Sequence, residues 1–525
     1  MKGTRTLALL LTAALALHLT ACAAKSADTA TGAASAATDA GMDGSYANYA
    51  PMETEEQLVD WNTEEYSHIQ ENRFQAVAAS PLSTFAADVD TASYANLRRM
   101  LLAGEEVPAD AVRIEEMINY FHYDYPEPEG DEPFSVSTEI IPCPWNDQTS
   151  LLRIGLQAEE PDWEAMPASN LVFLIDVSGS MEQSNKLPLV KQAFLLLTEN
   201  LRPQDTISIV TYASEDRVVL DGAAGDEGAD IQTAIENLNA GGSTAGSKGI
   251  TTAYELARKH FIPDGNNRVI LATDGDLNVG VTSEGELVRL IEKEKKDGIF
   301  LSVLGFGDGN LKDNKLESLA DHGDGNYSYI DSVLEAKRVL VEEMGGTLFT
   351  VAKDVKFQVE FNPEKVAGYR LIGYENRLMA AEDFADDTKD GGEVGAGHRV
   401  TVLYELAAPG ADVDIPGVDL KYQETEATGS DEWLTVAVRC KEPEGSQSIL
   451  LEYPVGEKSV TESPSDDTAF AACVAQFGML LRESAYSGSA TYDSVAEALA
   501  ALPGVEEDAY RAELLYLVRQ MARKQ

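Results

Sequence analysis

Five oxygen-bearing side chains stand out by type and spacing. Asp176-Val177-Ser178-Gly179-Ser180 sets one carboxylate and two hydroxyls on alternate positions of a short segment. Thr244 lies in the glycine-rich stretch Gly241-Gly242-Ser243-Thr244-Ala245-Gly246, and Asp274 in Thr273-Asp274-Gly275. An oxygen-only ligand set of low charge suits a hard divalent cation, Mg²⁺ first, with Mn²⁺ or Ca²⁺ as alternatives. It disfavours softer ions that want Cys or His. The bland alternative is a pair of hydroxyl-rich turns that cap helices. Asp276 is either an outer partner of the site or a solvated carboxylate.

Other chemistries fit less well. Residues 241–248 approach a phosphate-binding loop, but the lysine comes one place late and no apolar strand leads directly in. The nucleophile-elbow pattern Gly-x-Ser-x-Gly is absent. Six histidines are scattered without an HExxH pair, and His122, His260 and His322 read as surface or turn residues. Asp321, Asp324 and Asn326 suggest calcium but lack the following bidentate Glu, so a turn into a strand is the better reading. Asp88 and Asp90 form a possible metal pair, although Asp90 or Thr91 more readily caps a helix. No general base near Asp274 can be named, so a metal-assisted hydrolase ranks last and the protein reads as a non-enzyme.

The positioning elements follow from apolar periodicity. Leu171-Val172-Phe173-Leu174-Ile175 is a continuous apolar run, as a parallel strand covered on both faces requires. Similar runs recur at 207–212, 269–272 and 299–305, separated by helical patterns at Leu187/Val190/Phe194/Leu197, Ile231/Ile235/Leu238 and Leu287/Leu290/Ile291. Residues 168–345 are therefore expected to form a doubly wound, Rossmann-like α/β domain. Asp176 and Asp274 each follow such a run, and ligands of open α/β sheets bind at the carboxyl ends of strands near a switch point. If the two runs are neighbours there, all five side chains can meet.

Around this domain the pattern changes. Residues 83–122 look helical, and 134–141 and 151–157 alternate as two strands, so 81–167 is read as a helical region plus two strands. Strands at 355–361, 369–374, 399–406, 433–439 and 448–453 make 346–460 a β-rich, sandwich-like region. The two earlier strands are expected to join it, leaving the α/β domain as an insertion. Residues 461–525 return to a helical pattern carried by Phe470, Val474, Phe477 and Leu480.

Asp176-x-Ser178-x-Ser180, Thr244 and Thr273-Asp274-Gly275 together resemble the metal-ion-dependent adhesion site of von Willebrand factor type A domains. The resemblance implies that Ser178, Ser180 and Thr244 coordinate directly, with Asp176 and Asp274 acting largely through water. It also implies one open position, filled by an Asp or Glu carboxylate of a protein ligand. Residues 85–120, 305–330 and 369–377 are further similar to a family of bacterial lipoproteins. In these a type A domain is flanked by characteristic N-terminal and C-terminal regions.

The N-terminus agrees. Lys2 and Arg5 precede an almost wholly apolar stretch at 7–19, too short for a comfortable membrane span and flanked like a signal peptide. It ends in Leu19-Thr20-Ala21-Cys22, which resembles a lipobox, so 1–21 is read as a lipoprotein signal and Cys22 as the acylated residue. Residues 22–80 are a tether and a segment of undetermined structure. Cys143, Cys440 and Cys473 then form an odd, scattered set, best read as buried free thiols. Of 525 residues, 40 are Lys or Arg and 89 Asp or Glu, a formal charge of −49 that repels nucleic acid. The sequence thus points to a lipid-anchored, extracytoplasmic binding protein of the bacterial cell membrane. The alternative is a cell-envelope assembly factor whose metal is mainly stabilising.

Overall fold

The computed structural model describes residues 62–524, apart from 88–89, 131, 161–164, 243–247, 276–282, 417–428, 444 and 446. Cys22, Thr244, Asp276 and Asp88 therefore lie outside the described residues.

The later part of 22–80, whose structure the sequence leaves undetermined, is packed chain from residue 62. Thr63 N–H donates to the Gly309 carbonyl at 2.9 Å, Glu64 pairs with Arg99 at 2.9 Å, and Phe74 is buried. Two strands follow, β1 (Gln75–Ala76) and β2 (Leu82–Ala86). The helical expectation is corrected at β2: its alternating Leu82, Thr84 and Ala86 pair with a distant strand, and Phe85 stacks on Phe357 at 5.2 Å. Helix α1 (Ala92–Ala103) ends at Gly104 in the left-handed conformation, φ 76°, and α2 (Ile114–Asn119) follows. Thr91 stands at the N-cap of α1 but makes no side-chain cap bond. Asp90 accepts the Tyr327 N–H at 2.9 Å and pairs with Arg377 at 3.3 Å, while Thr91 accepts from Arg338 at 2.7 Å. Buried charged donors outrank a local cap. Strands β3 (Phe134–Pro142) and β4 (Thr149–Ala158) then form an antiparallel pair.

The α/β domain comes next: β5 (Ser169–Asp176), α3 (Leu187–Thr198), β6 (Thr206–Tyr212), β7 (Asp216–Ala224), α4 (Gly228–Glu236), α5 (Gly249–Lys259), β8 (Asn266–Thr273), α6 (Glu284–Lys296), β9 (Phe300–Phe306), α7 (Asp313–His322) and β10 (Tyr327–Ile330). The sheet order is β10-β9-β8-β5-β6-β7, parallel except for the edge strand β7. Every residue of β5 and β8 is buried, which is why their middles read as continuous apolar runs at 171–175 and 269–272. Leu171, Phe173 and Ile175 face α3 and α4; Val172 and Leu174 face α5, α6 and α7, with Ala92 and Ala95 of α1 on the same side. Because β6 lies on one side of β5 and β8 on the other, the switch point falls between Asp176 and Asp274.

After α8 (Val333–Lys337), a π-turn at Arg338–Glu342 and α9 (Met344–Leu348), the chain returns to antiparallel strands. These are β11 (Thr350–Phe361), β12 (Gly368–Ile372), β13 (Gly392–Gly395), β14 (Arg399–Ala407), β15 (Leu434–Lys441) and β16 (Ser448–Val455). One sheet runs β1-β12-β14-β4-β3; the other runs β13-β11-β15-β16 with β2 also on β11. Their inner faces share one core, with Leu152, Ile154 and Val402 from the first sheet and Phe85, Phe357 and Val436 from the second. Since β4 pairs with β14, the α/β domain is inserted into this sandwich. Three closing helices, α10 (Asp466–Leu481), α11 (Tyr492–Ala501) and α12 (Ala509–Lys524), share a core with α1 and α2 through Phe470, Val474, Met117 and Phe121. Cys143, Cys440 and Cys473 are buried and free.

Candidate metal site

The carboxyl end of β5 carries the first three candidate residues. Asp176 is fully buried, and its Oδ1 accepts the Ser178 N–H at 2.8 Å, folding the chain back over the strand end. Ser178 is buried, Ser180 is exposed, and their hydroxyls lie 3.0 Å apart. Met181 anchors the turn beneath them in the core. Two backbone bonds fasten this turn to the glycine-rich stretch: Gly241 N–H donates to Val177 O at 2.8 Å, and Gly179 N–H to Gly242 O at 3.0 Å. A side chain at Gly242, which sits at φ 85°, would meet the Ser214 hydroxyl at 2.8 Å. Thr244, two residues further on, lies outside the described residues.

Asp274 leaves the neighbouring strand β8, with Ala272 registered against Ile175. It is buried and accepts a hydrogen bond from Lys186 Nζ at 2.9 Å. Asp176, Ser178, Ser180 and Asp274 are thus gathered at the switch point. Asp176 Oδ2 is buried and has no hydrogen-bond partner among the described residues. Burial pushes the Asp176 carboxyl up to about 6; the Ser178 N–H opposes this and the charge of Asp274 adds to it. The donors are all oxygens, with neither Cys nor His among them, and one buried carboxylate oxygen is unsatisfied. That set fits a hard divalent cation.

Two neighbours were not visible in the sequence. Tyr212, wholly buried at the end of β6, has its phenol pushed far up by burial and by the charge of Asp176. Lys186, at the mouth of α3, is 88 residues from its carboxylate and follows no motif. The turn at Asp321–Asn326 also acquires company that spacing cannot reveal. Asp324, Asp390 and Glu393 place carboxylate oxygens within 4.8 Å of one another. Lys295 ion-pairs with Asp324 and, at 3.2 Å, with Asp390, so this cluster carries its own cation.

Comparison with known proteins settles the family. Residues 170–341 match the von Willebrand factor type A domain, 60–153 a von Willebrand factor model, and 346–523 the YfbK C-terminal model. The uncharacterized protein YfbK of Escherichia coli (strain K12) is 42% identical over 472 residues, 88% of this chain and 81% of that relative. The chain belongs to the YfbK family. Other relatives match only about a third of this chain. The uncharacterized protein sll0103 of Synechocystis is 31% identical over 35% of this chain and 43% of its own length. Human inter-alpha-trypsin inhibitor heavy chain H3 is 28% identical over 34% of this chain and 21% of its own. The YfbK-type flanks correspond to the sandwich and helices that enclose the domain.

Proposed function

We propose that this YfbK-family chain is a binding protein that captures a protein partner through a divalent cation, Mg²⁺ first, held by Asp176, Ser178, Ser180, Thr244 and Asp274. The observation that carries the reading is the buried, unpartnered Oδ2 of Asp176 at the switch point. Such an oxygen costs about 1–3 kcal/mol, more when charged, unless a cation satisfies it. A bound ion would supply a Lewis-acidic anchor for an Asp or Glu carboxylate of the partner. The chain's own part is to hold it: Asp176 is fixed by the Ser178 N–H, and Ser180 stands at the solvent edge. A formal charge of −49 requires the partner's carboxylate to lie on a neutral or basic surface. The lipobox-like Leu19-Thr20-Ala21-Cys22 supports a lipid anchor at Cys22 and a site on the extracytoplasmic face of the bacterial membrane.

The test is partner capture from envelope extract, with and without EDTA, by the wild-type chain and by Asp176→Ala. Capture abolished by EDTA and by the substitution is the expected result; capture indifferent to both refutes the proposal. One observation favours a second reading. Lys186 already gives Asp274 a positive partner, which suits an envelope assembly factor whose metal only stabilises. A Tm gain with Mg²⁺, without any metal-dependent partner, would select that reading.

A further inference from the structure

We propose that Lys186 is a resident cation of the metal site, opposing entry of the divalent ion and so lowering its affinity; this rests on the metal reading above. Lysine is almost never fully buried unless paired, yet Lys186 is only 4% exposed. Its ammonium sits 2.9 Å from Asp274 Oδ2, on one of the two carboxylates that a divalent ion at this site needs. The route of the side chain is built into the fold. Lys186 stands at the N-cap of α3 and runs beneath Gly307, where a Cβ would lie 2.4 Å from Lys186 Cε. Gly307 has φ 76°, a conformation L side chains rarely adopt, and its carbonyl is held by the Tyr329 hydroxyl at 2.6 Å. Glycine at 307 thus leaves open the channel through which the lysine reaches the site.

The charge count gives the consequence. Asp176 and Asp274 together offer two negative charges, while Ser178 and Ser180 are neutral. With Lys186 paired to Asp274, the net charge facing an incoming dication is halved. Two cations within a few ångströms in a water-poor site repel strongly, so removing one should tighten binding of the other by about tenfold or more. Asp176 keeps its unsatisfied oxygen throughout, which leaves the dication a ligand that the ammonium does not take.

Mn²⁺ titration calorimetry on the purified chain tests this with wild type, Lys186→Met, Lys186→Gln and Asp176→Ala. Methionine keeps the stem volume without charge, and glutamine keeps a hydrogen-bond donor for Asp274. Metal-free unfolding curves establish that each variant is folded, and either Lys186 variant alone suffices. Binding at least about tenfold tighter in the folded Lys186 variants is the expected result. Equal or weaker binding overturns the inference and makes Lys186 a residue that merely orients Asp274. If wild type shows no site that Asp176→Ala removes, while the Lys186 variants do bind, the metal reading fails for the natural chain and the inference stands. If none of the three binds, both fail.

Discussion

At the scale of single residues, the buried Lys186 and the half-buried His398 meet opposite surroundings. Lys186 keeps a carboxylate at 2.9 Å. His398 faces the guanidinium groups of Arg338 and Arg399, its Nδ1 has no hydrogen-bond partner among the described residues, and its ring lies against Gly346. Burial first, and those two arginines second, push the His398 imidazole down to about 4. A histidine depressed in the folded state takes up a proton on unfolding, so its contribution is present above the ordinary value near 6.5. It is lost as pH falls toward 4, by at most about 3 kcal/mol. His398→Gln should remove that slope: the difference in urea midpoint between variant and wild type should shift in the variant's favour from about pH 7 to about pH 4. A difference that stays constant over that window would contradict the assignment. The site residues divide in the same way. Asp176, Ser178 and Ser180 were legible because their chemistry lies within five consecutive positions. Lys186 and Tyr212 were not, because only the packing of three strand ends brings them there.

At the scale of elements, the central strands were legible for a physical reason. A strand covered on both faces carries an apolar run through its middle, as β5 does at 171–175 and β8 at 269–272, with buried polar residues only toward its ends. Phe173 of β5 stacks on Phe194 of α3 at 4.1 Å. Phe173→Ala should therefore cost about 3–5 kcal/mol, read as a drop in the denaturation midpoint at unchanged m-value. A loss below about 1 kcal/mol would show that the two layers repack freely. Elements at the margins were harder to read. The edge strand β7 is half exposed and alternates imperfectly. Strand β2 is five residues long, and its partner lies some 270 positions later in β11, so local periodicity could not distinguish it from the helix that follows.

At the scale of the whole molecule, the insertion is held to its host by a buried charge network. Glu335 of α8 is fully buried and accepts from Arg98 of α1 at 2.8 Å, from Tyr120 at 2.8 Å and from Arg338 at 2.8 Å. Arg98 also reaches Asp331 at 2.8 Å and Glu513 of α12 at 3.1 Å. Glu335 thus bridges two guanidinium groups, with Asp331 and Glu513 also on Arg98 and Glu343 also on Arg338, where the inserted domain, the N-terminal helices and the closing helices meet. Glu335→Gln should destabilise by about 1–3 kcal/mol, because it removes the bridging charge while Asp331, Glu513 and Glu343 still face the two arginines. Thermal unfolding unchanged from wild type would show that Asp331 and Glu513 suffice for Arg98, and Glu343 for Arg338. Asp331, Glu335 and Arg338 are close in sequence, but Arg98, Tyr120 and Glu513 are far from them and from each other. Apolar patterning therefore revealed the layers of the molecule, whereas its charged joints emerged only with the fold.

A divalent ion is expected to bind where Asp176 leaves an oxygen unsatisfied. Mg²⁺-dependent thermal unfolding of the wild-type chain beside Asp176→Ala addresses that most directly. A rise in Tm that grows with the logarithm of Mg²⁺ concentration, worth about 2.7 kcal/mol of stabilisation at a hundredfold excess over Kd, should appear in wild type and vanish in the variant. An equal rise in both chains, or none in wild type, would contradict it.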